Sequence, residues 1–248
     1  MQVLAQGDFM RGSPDATQNH LLAALPDVTR ERWLRQLERV EMPRGQVLKE
    51  QDHALQYAYF PTTAIVSLEY LTRNGDSTEI AIVGNEGIVG FGLFMGGDSA
   101  PYRAVVLSAG QGFRMPAQTI KDEFDSGGPP MHSLLRYAQA LMTQIEQTAI
   151  CNRHHSIDQQ LCRWILEILD RLKDEDLMFT QELIAKMLGV RRESVTESAL
   201  RLQKAGLIHY GRGHITVHDR RALEHRACEC YAVVKKEYGR LLADEIVA

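Results

Sequence analysis

Residues 180–217, TQELIAKMLGVRRESVTESALRLQKAGLIHYGRGHITV, carry the spacing that decides the fold. Thr180 is placed to cap a helix over Gln181–Leu188, with Leu183, Ile184, Met187 and Leu188 turned inward. Gly189 supplies a tight turn. A second helix is expected from about Arg191 to Ala205, with Val195, Ala199 and Leu202 on its inner face. Ala185, Gly189 and Val195 stand at offsets of 4 and 6. Two steeply crossing helices need a small residue, a positive-φ turn residue and a core anchor at those places. Gly206 ends the second helix as a C′ residue. Leu207–Tyr210 and His214–Val217 then read as two short strands around a basic tip, Gly211-Arg212-Gly213. The segment predicts a winged helix-turn-helix.

Such a module presents the N-terminal end of its second helix to base edges. Arg192, Glu193, Thr196 and Glu197 are the candidate base readers, because arginine pairs bidentately with guanine and glutamate accepts from cytosine N4. Arg191, Ser194, Arg201, Lys204, Arg212 and His214 are candidates for phosphate, which positions a module without reading sequence. The net charge of −4 hides an asymmetry that suits this reading. Residues 1–150 hold 12 basic and 17 acidic side chains, whereas 180–221 hold 8 and 4. A local basic patch can meet a polyanion within a mildly acidic chain.

A length of 248 residues, with 44% apolar and 24% charged, excludes a disordered or fibrous chain and allows one large domain or two modest ones. No apolar run approaches the roughly 18 residues of a bilayer span, and the N-terminus lacks an apolar signal region. A soluble, cytoplasmic protein without a membrane partner is expected. All four cysteines, Cys151, Cys162, Cys228 and Cys230, fall after residue 150, which is unlike a disulfide scaffold and reads as reduced thiols.

The rest of the chain divides by periodicity. Residues 1–18, with Gly12, Ser13 and Pro14, read as a flexible tail. A helical stretch is expected from Asn19 to about Val40, with Thr29 capping its second half. From Met42 to about Ile120 short β-rich runs alternate with turns: Val47-Leu48, Ala58–Phe60, Ala64–Leu71, Thr78–Val83, Ala104–Leu107 and Gly112–Met115. Asn74-Gly75-Asp76 is a hairpin signal, since Asn-Gly accepts the positive φ of a type I′ turn. Residues 19–130 therefore predict a small sandwich or β-roll. After the break at Gly127–Pro130, residues 131–153 are helical. There Leu134, Ala138, Leu141, Ile145, Thr148 and Asn152 step by 4 and 3, with Leu135, Met142 and Ala149 beside them. The first five are candidates for a dimer seam, although the periodicity fits intrachain core equally well. A further helix, Ser156–Leu172, closed by Lys173–Asp176, opens a DNA-binding domain over 154–248 with a C-terminal helix. The fold class is α+β.

This order resembles the Crp/Fnr family of bacterial transcription regulators, relatives of the cyclic AMP receptor protein. The likeness covers about residues 20–220, and its most specific motif is Leu188–Val195, LGVRRESV, similar to the family's G-x-x-R-E-x-V. Residues 152–156, NRHHS, with Gln159–Leu166, resemble the family's hinge. The resemblance implies an N-terminal β-roll like a cyclic-nucleotide-binding jelly roll, a long dimerisation helix and a homodimer on double-stranded DNA, with RNA polymerase as a further partner. Arg192 and Glu193 fall on the family's base-reading pair. Glu197 replaces the next basic reader and Ser198 the usual apolar residue, so the target sequence should differ.

The sensor half departs further. The family's cassette places a glutamate on the ribose and an Arg followed by Ser or Thr on the cyclic phosphate. Gly90 stands where the glutamate belongs, and in Pro101-Tyr102-Arg103-Ala104 the arginine is one place out of register. A shift of one residue turns a strand side chain to the opposite face. Gly90, Tyr102 and Arg103 thus mark a weak effector pocket that should not answer to cyclic AMP, and another small molecule is left open. An N-terminal iron–sulfur site is excluded by the lack of cysteine before residue 151.

Three further constellations carry less. His225, Cys228 and Cys230 form H-x-x-C-x-C, but on a helix Cys228 and Cys230 would point roughly 200° apart, and no fourth ligand is evident. His154 and His155 diverge similarly. Both sets read as packing or surface residues, with no metal and no cofactor expected. Glu79 and Glu86 lack the histidine cluster of a metalloenzyme, so no catalysis is expected. The alternative from another class is a small-molecule sensor whose helix-turn-helix serves protein contact.

Overall fold

The structure, a computed structural model, describes residues 15–97, 99–172 and 176–242. Most of the expected tail, residues 1–14, lies outside them. Asp15 caps a short 3-10 turn, Ala16–Gln18, whose Ala16 is buried, so the last part of that stretch is packed. The helical stretch expected over 19–40 is instead two short helices and a strand. Asn19 caps α1 (His20–Ala23), and its amide donates to the carbonyls of Pro61 and Gly87 at 2.9 and 2.8 Å. Pro26 then stands at the N-cap of α2 (Asp27–Leu34), because proline lacks the N–H that a continuous helix would need. Thr29 is therefore inside α2 and caps nothing, and Val40 belongs to β1 (Glu38–Met42).

The roll comprises β1, β2 (Val47–Lys49), β3 (Tyr57–Pro61), β4 (Ile65–Leu71), β5 (Ser77–Val83), β6 (Arg103–Ser108) and β7 (Gly110–Pro116). They form two antiparallel sheets, ordered β1-β7-β3 and β2-β6-β4-β5. The β4–β5 hairpin turns where Asn-Gly stands, but through a longer loop in which Thr72 N–H donates to Asp76 O at 2.8 Å. Only Gly75 there has positive φ (87°), so the turn is not the expected type I′ pair. Residues 117–120, expected within the β region, open α3 (Ala117–Asp125), which buries Ile120.

The long helix α4 (Pro129–His154) seats Tyr137 against Gly87, where a Cβ would come within 2.2 Å of the ring. The Tyr137 hydroxyl donates to Ile88 O at 3.1 Å. Next, α5 (Ile157–Leu169) opens with a capping box between Ser156 and Gln159. It ends earlier than expected; residues 173–175 lie outside the described ones, and Asp176 begins β8 (Asp176–Met178). Then come α6 (Gln181–Leu188), α7 (Arg192–Lys204), β9 (Ile208–Gly211), β10 (His214–Val217), α8 (Arg220–Arg226) and α9 (Glu229–Leu242). The last helix runs back along α4, where the Tyr238 hydroxyl donates to Gln144 Oε1 at 3.3 Å.

Strand β4 is buried on both faces, which explains its nearly continuous apolar run. Val66 and Leu68 point into the roll, while Ile65 joins the core that β5, α5 and α6 build outside it. On that outer face Ser67 meets Met187, and Lys186 Nζ reaches Glu69 Oε2 at 3.1 Å. Between the two halves lies Glu79, fully enclosed, accepting from Ser67 Oγ at 2.7 Å and Trp164 Nε1 at 2.9 Å. Burial pushes its carboxyl up to about 8, with Glu167 adding to the rise and Arg163 opposing it.

The folded protein thus holds a proton that the unfolded chain, titrating near 4.5, releases earlier. Stability should be greatest below about pH 4.5 for this group's part and decline as pH rises toward 8, by on the order of a few kcal/mol. Glu79→Gln keeps an acceptor for Trp164 without the charge. Urea midpoints at pH 6 and 8.5 should converge in that variant, and unchanged divergence would place the pH dependence elsewhere.

Candidate nucleic-acid interface

Helix α6 is capped by Thr180, whose hydroxyl accepts from Leu183 N–H at 3.2 Å, and it ends on Gly189 in the left-handed region at φ 64°. A Cβ at Gly189 would also lie 2.9 Å from Thr78 of the roll, so the turn is glycine for conformation and for space. Val195, Ala199 and Leu202 are buried beneath α7. The wing is a two-residue hairpin: Gly211 pairs with His214, and Arg212 and Gly213 both have positive φ, at 52° and 83°. Strand β8, missed in the sequence, pairs with the far edge of β10.

Arg191, Arg192, Glu193 and Glu197 are exposed at the start of α7, Lys204 at its end and Arg212 at the wing tip. Ser194 and His214 are half-buried. The N–H groups of the first turn of α7 face the same side, which favours phosphate. Thr196 and Arg201 are among the candidates engaged within the protein. Thr196 Oγ1 donates to Gln181 Oε1 at 2.6 Å and so ties α7 to α6. Arg201 NH2 lies 2.7 Å from Asp158 Oδ1 on α5, and its guanidinium is the main cause that holds the Asp158 carboxyl down at about 2. Both side chains brace α7, Thr196 against α6 and Arg201 against α5.

On α4, the residues expected at the seam are already covered. Leu134, Ala138 and Leu141 are buried in the roll's own core, Ile145 packs against it, and Thr148 is buried beneath Arg163. The open apolar stripe is the one that ran beside them: Leu135, Met142 and Ile150 are 45%, 52% and 49% exposed, with Ala149 between. One face of the helix is used by the roll and α9, so the adjacent heptad positions are left to solvent.

The effector pocket is closed. Gly90 and Tyr102 line a gap of about 10 Å³ together with Lys49 and Leu55, room for one water, whereas small-molecule sites run to roughly 300–1,000 Å³. The gap is bordered by Lys49, which the sequence did not single out because it stands just past the short run Val47-Leu48. Its Nζ donates to the carbonyls of Ala100 and Tyr102 at 2.6 and 2.8 Å and lies 4.6 Å from the Tyr102 ring, which stacks on Phe91. Arg103 does not line this gap. It turns to Glu50 at 3.0 Å, which corrects its place in the pocket and follows from its one-residue offset.

Residues 39–126 match the cyclic nucleotide-binding domain, and residues 159–226 match the Crp-like helix-turn-helix domain. A sensor-type roll followed by this helix-turn-helix defines a two-domain transcription regulator. Together they place the chain in the Crp/Fnr family. The fold is shared with FixK2 of Bradyrhizobium japonicum (15% identity, TM-score 0.67, covering 77% of this chain and 98% of that one). It is shared also with a CRP/FNR-family transcriptional regulator of Thermus thermophilus (19%, 0.62, 77% and 98%). The c-di-GMP responsive global regulator CLP of Xanthomonas campestris is similar too (16%, 0.61, 78% and 100%). No curated protein matches the sequence. Among the described residues, no helix is long and apolar enough to cross a membrane.

Proposed function

We propose that this regulator acts as a homodimer that reads a two-fold symmetric site in double-stranded DNA, and that cyclic AMP is not its signal. The observation that carries the reading is the exposed start of α7, where Arg191, Arg192 and Glu193 stand on a buried Val195–Ala199–Leu202 anchor beside a basic wing. A helix so anchored presents its first turn to a major groove, while Lys204 and Arg212 suit the flanking phosphates. The stripe of Leu135, Met142, Ala149 and Ile150 supplies the second copy's contact, and RNA polymerase is the implied downstream partner. Selection of bound sequences from a random duplex pool tests the reading. An enriched inverted repeat with half-sites about one helical turn apart is expected. Retention without enrichment would leave only non-specific binding.

The closed pocket gives a second expectation. No carboxylate at Gly90 meets a ribose, and Lys49, the one cation lining the gap among the described residues, is committed to backbone carbonyls. A ligand shifts an equilibrium only by its differential affinity for the two states. Millimolar cyclic AMP should therefore change affinity for the selected site by less than about twofold. A large rise would mean that the gap opens to a nucleotide. The roll still contacts α6 directly through Glu69–Lys186 and Ser67–Met187, so a different signal at the roll has a short route to the helix-turn-helix.

A further inference from the structure

We propose that Cys151, His155, Cys228 and Cys230 form a closed tetrahedral site for one zinc ion, which pins the C-terminal helix to the hinge between the two halves. The four donor atoms all lie within 4.8 Å of one another. Cys151 Sγ is 3.5 Å from Cys228 Sγ, and Cys230 Sγ is 3.6 Å from His155 Nδ1. Zinc with sulfur at ~2.3 Å and nitrogen at ~2.0 Å needs tetrahedron edges of roughly 3.5–3.8 Å. The Cys151–Cys228 and Cys230–His155 pairs already have that length. Donors this close enclose one ion, whereas an iron–sulfur cluster spreads its thiolates over several irons.

The sequence disguised the set in two ways. Cys151 and His155 are four residues apart, so they share a face at the last turn of α4. Cys228 and Cys230 are not on one helix, because α8 ends at Arg226 and α9 begins at Glu229. The angle that set them apart on a helix does not apply, and the exposed His225 is not among the donors. The missing partners came from 75 or more positions upstream.

The surroundings are those of a metal site. His155 turns Nδ1 to the cysteines while Nε2 lies 3.3 Å from Glu229 Oε1. A carboxylate on the far nitrogen fixes the tautomer and raises the basicity of the ligating one. Gln160 Nε2 donates to the carbonyls of Cys151 and His155 at 3.3 and 2.9 Å and so holds the chain at the turn. All three cysteines are buried and His155 is mostly covered, leaving no open coordination position for substrate. A closed three-sulfur, one-nitrogen set is a structural zinc site. On binding, three sulfur–metal bonds and one bond from His155 Nδ1 form, the ion's waters leave, and the thiol protons pass to solvent. The ion would fasten the α8–α9 junction to the α4–α5 turn, where the long helix joins the DNA-binding half.

The test uses the full-length chain, purified without chelator and with any tag removed. Elemental analysis should find about one zinc per chain. After chelation under reductant, titration with Co²⁺ should give thiolate-to-cobalt charge-transfer and intense tetrahedral d–d bands that saturate near one equivalent. Cys151→Ser and Cys230→Ser should abolish the bands, and His155→Ala should weaken binding. Cys162→Ser, a buried cysteine outside the set, should leave them intact. Chelation should lower the melting temperature of the unaltered chain by roughly 5–10 °C. The cobalt spectrum of the unaltered chain decides the matter even if a serine variant fails to fold. Absent bands would overturn the proposal, as would bands that survive Cys151→Ser or a Cys151–Cys228 disulfide in protein isolated without reductant.

Discussion

Leu135→Glu combined with Met142→Glu should leave the fold intact, convert a dimer to monomers in sedimentation, and weaken binding to the selected site by roughly 10²–10⁴-fold. Both side chains are about half exposed in the chain, so a carboxylate there remains hydrated while the protein is alone. In a two-fold seam each position meets its own counterpart, and the substitution buries like charges face to face. The loss of DNA affinity follows because one half-site contact no longer raises the effective concentration of the other. Leu141→Glu is the control. Leu141 is 1% exposed within the roll's own core, so the charge there should unfold the chain rather than dissociate it. A double variant that still sediments as a dimer would place the contact on another surface.

The contrast between Leu135 and Leu141 shows where the sequence stopped being readable. A helix with apolar residues at 134, 135, 138, 141, 142, 145 and 149 has a face wide enough to serve two contacts. Periodicity cannot say which half goes to the chain's own core. That choice is made by the roll together with α9, whose return along α4 no local pattern announces. The helix-turn-helix, in contrast, was legible almost residue by residue, because its signals are local: Thr180 as cap, Gly189 and Gly206 as positive-φ stops, and the 3.6-residue period between them. Strand β1 and helix α3 were missed for the same local reason. Leu37 and Val40 continue a helical spacing past α2, and the runs before Ile120 continue a β-like one.

The candidate site divides similarly. Exposed Arg191, Arg192 and Glu193 could be placed from helix phase alone. Arg201 could not, because its partner Asp158 is 43 positions earlier. Lys49, Glu79 and the Cys151 cluster are long-range facts too. Each joins groups 51 to 85 positions apart, where composition and period carry no information.

Arg192→Ala should cost about 1–3 kcal/mol on the selected site, roughly 5–150-fold, and much less on random duplex. Arg192 is the first residue of α7 and exposed, so truncation removes no core contact and its effect reports on DNA. Glu193 needs a further measurement. A carboxylate in the first turn also favours the helix dipole, worth a few tenths of a kcal/mol, so Glu193→Gln must be read against its melting temperature. If Glu193 accepts from a base, specificity at one position relaxes beyond what stability accounts for. Lys204→Ala should weaken all sequences alike and reduce the salt dependence by about one phosphate contact. Arg201→Ala should behave differently from both. It strips a partner from the Asp158 carboxylate and leaves it Arg226 at 3.2 Å. Stability should fall first, and DNA affinity only as far as α7 loses its bracing on α5. Equal losses of cognate and random binding in Arg192→Ala would reduce that arginine to a phosphate contact and move base reading further along the helix, toward Glu197.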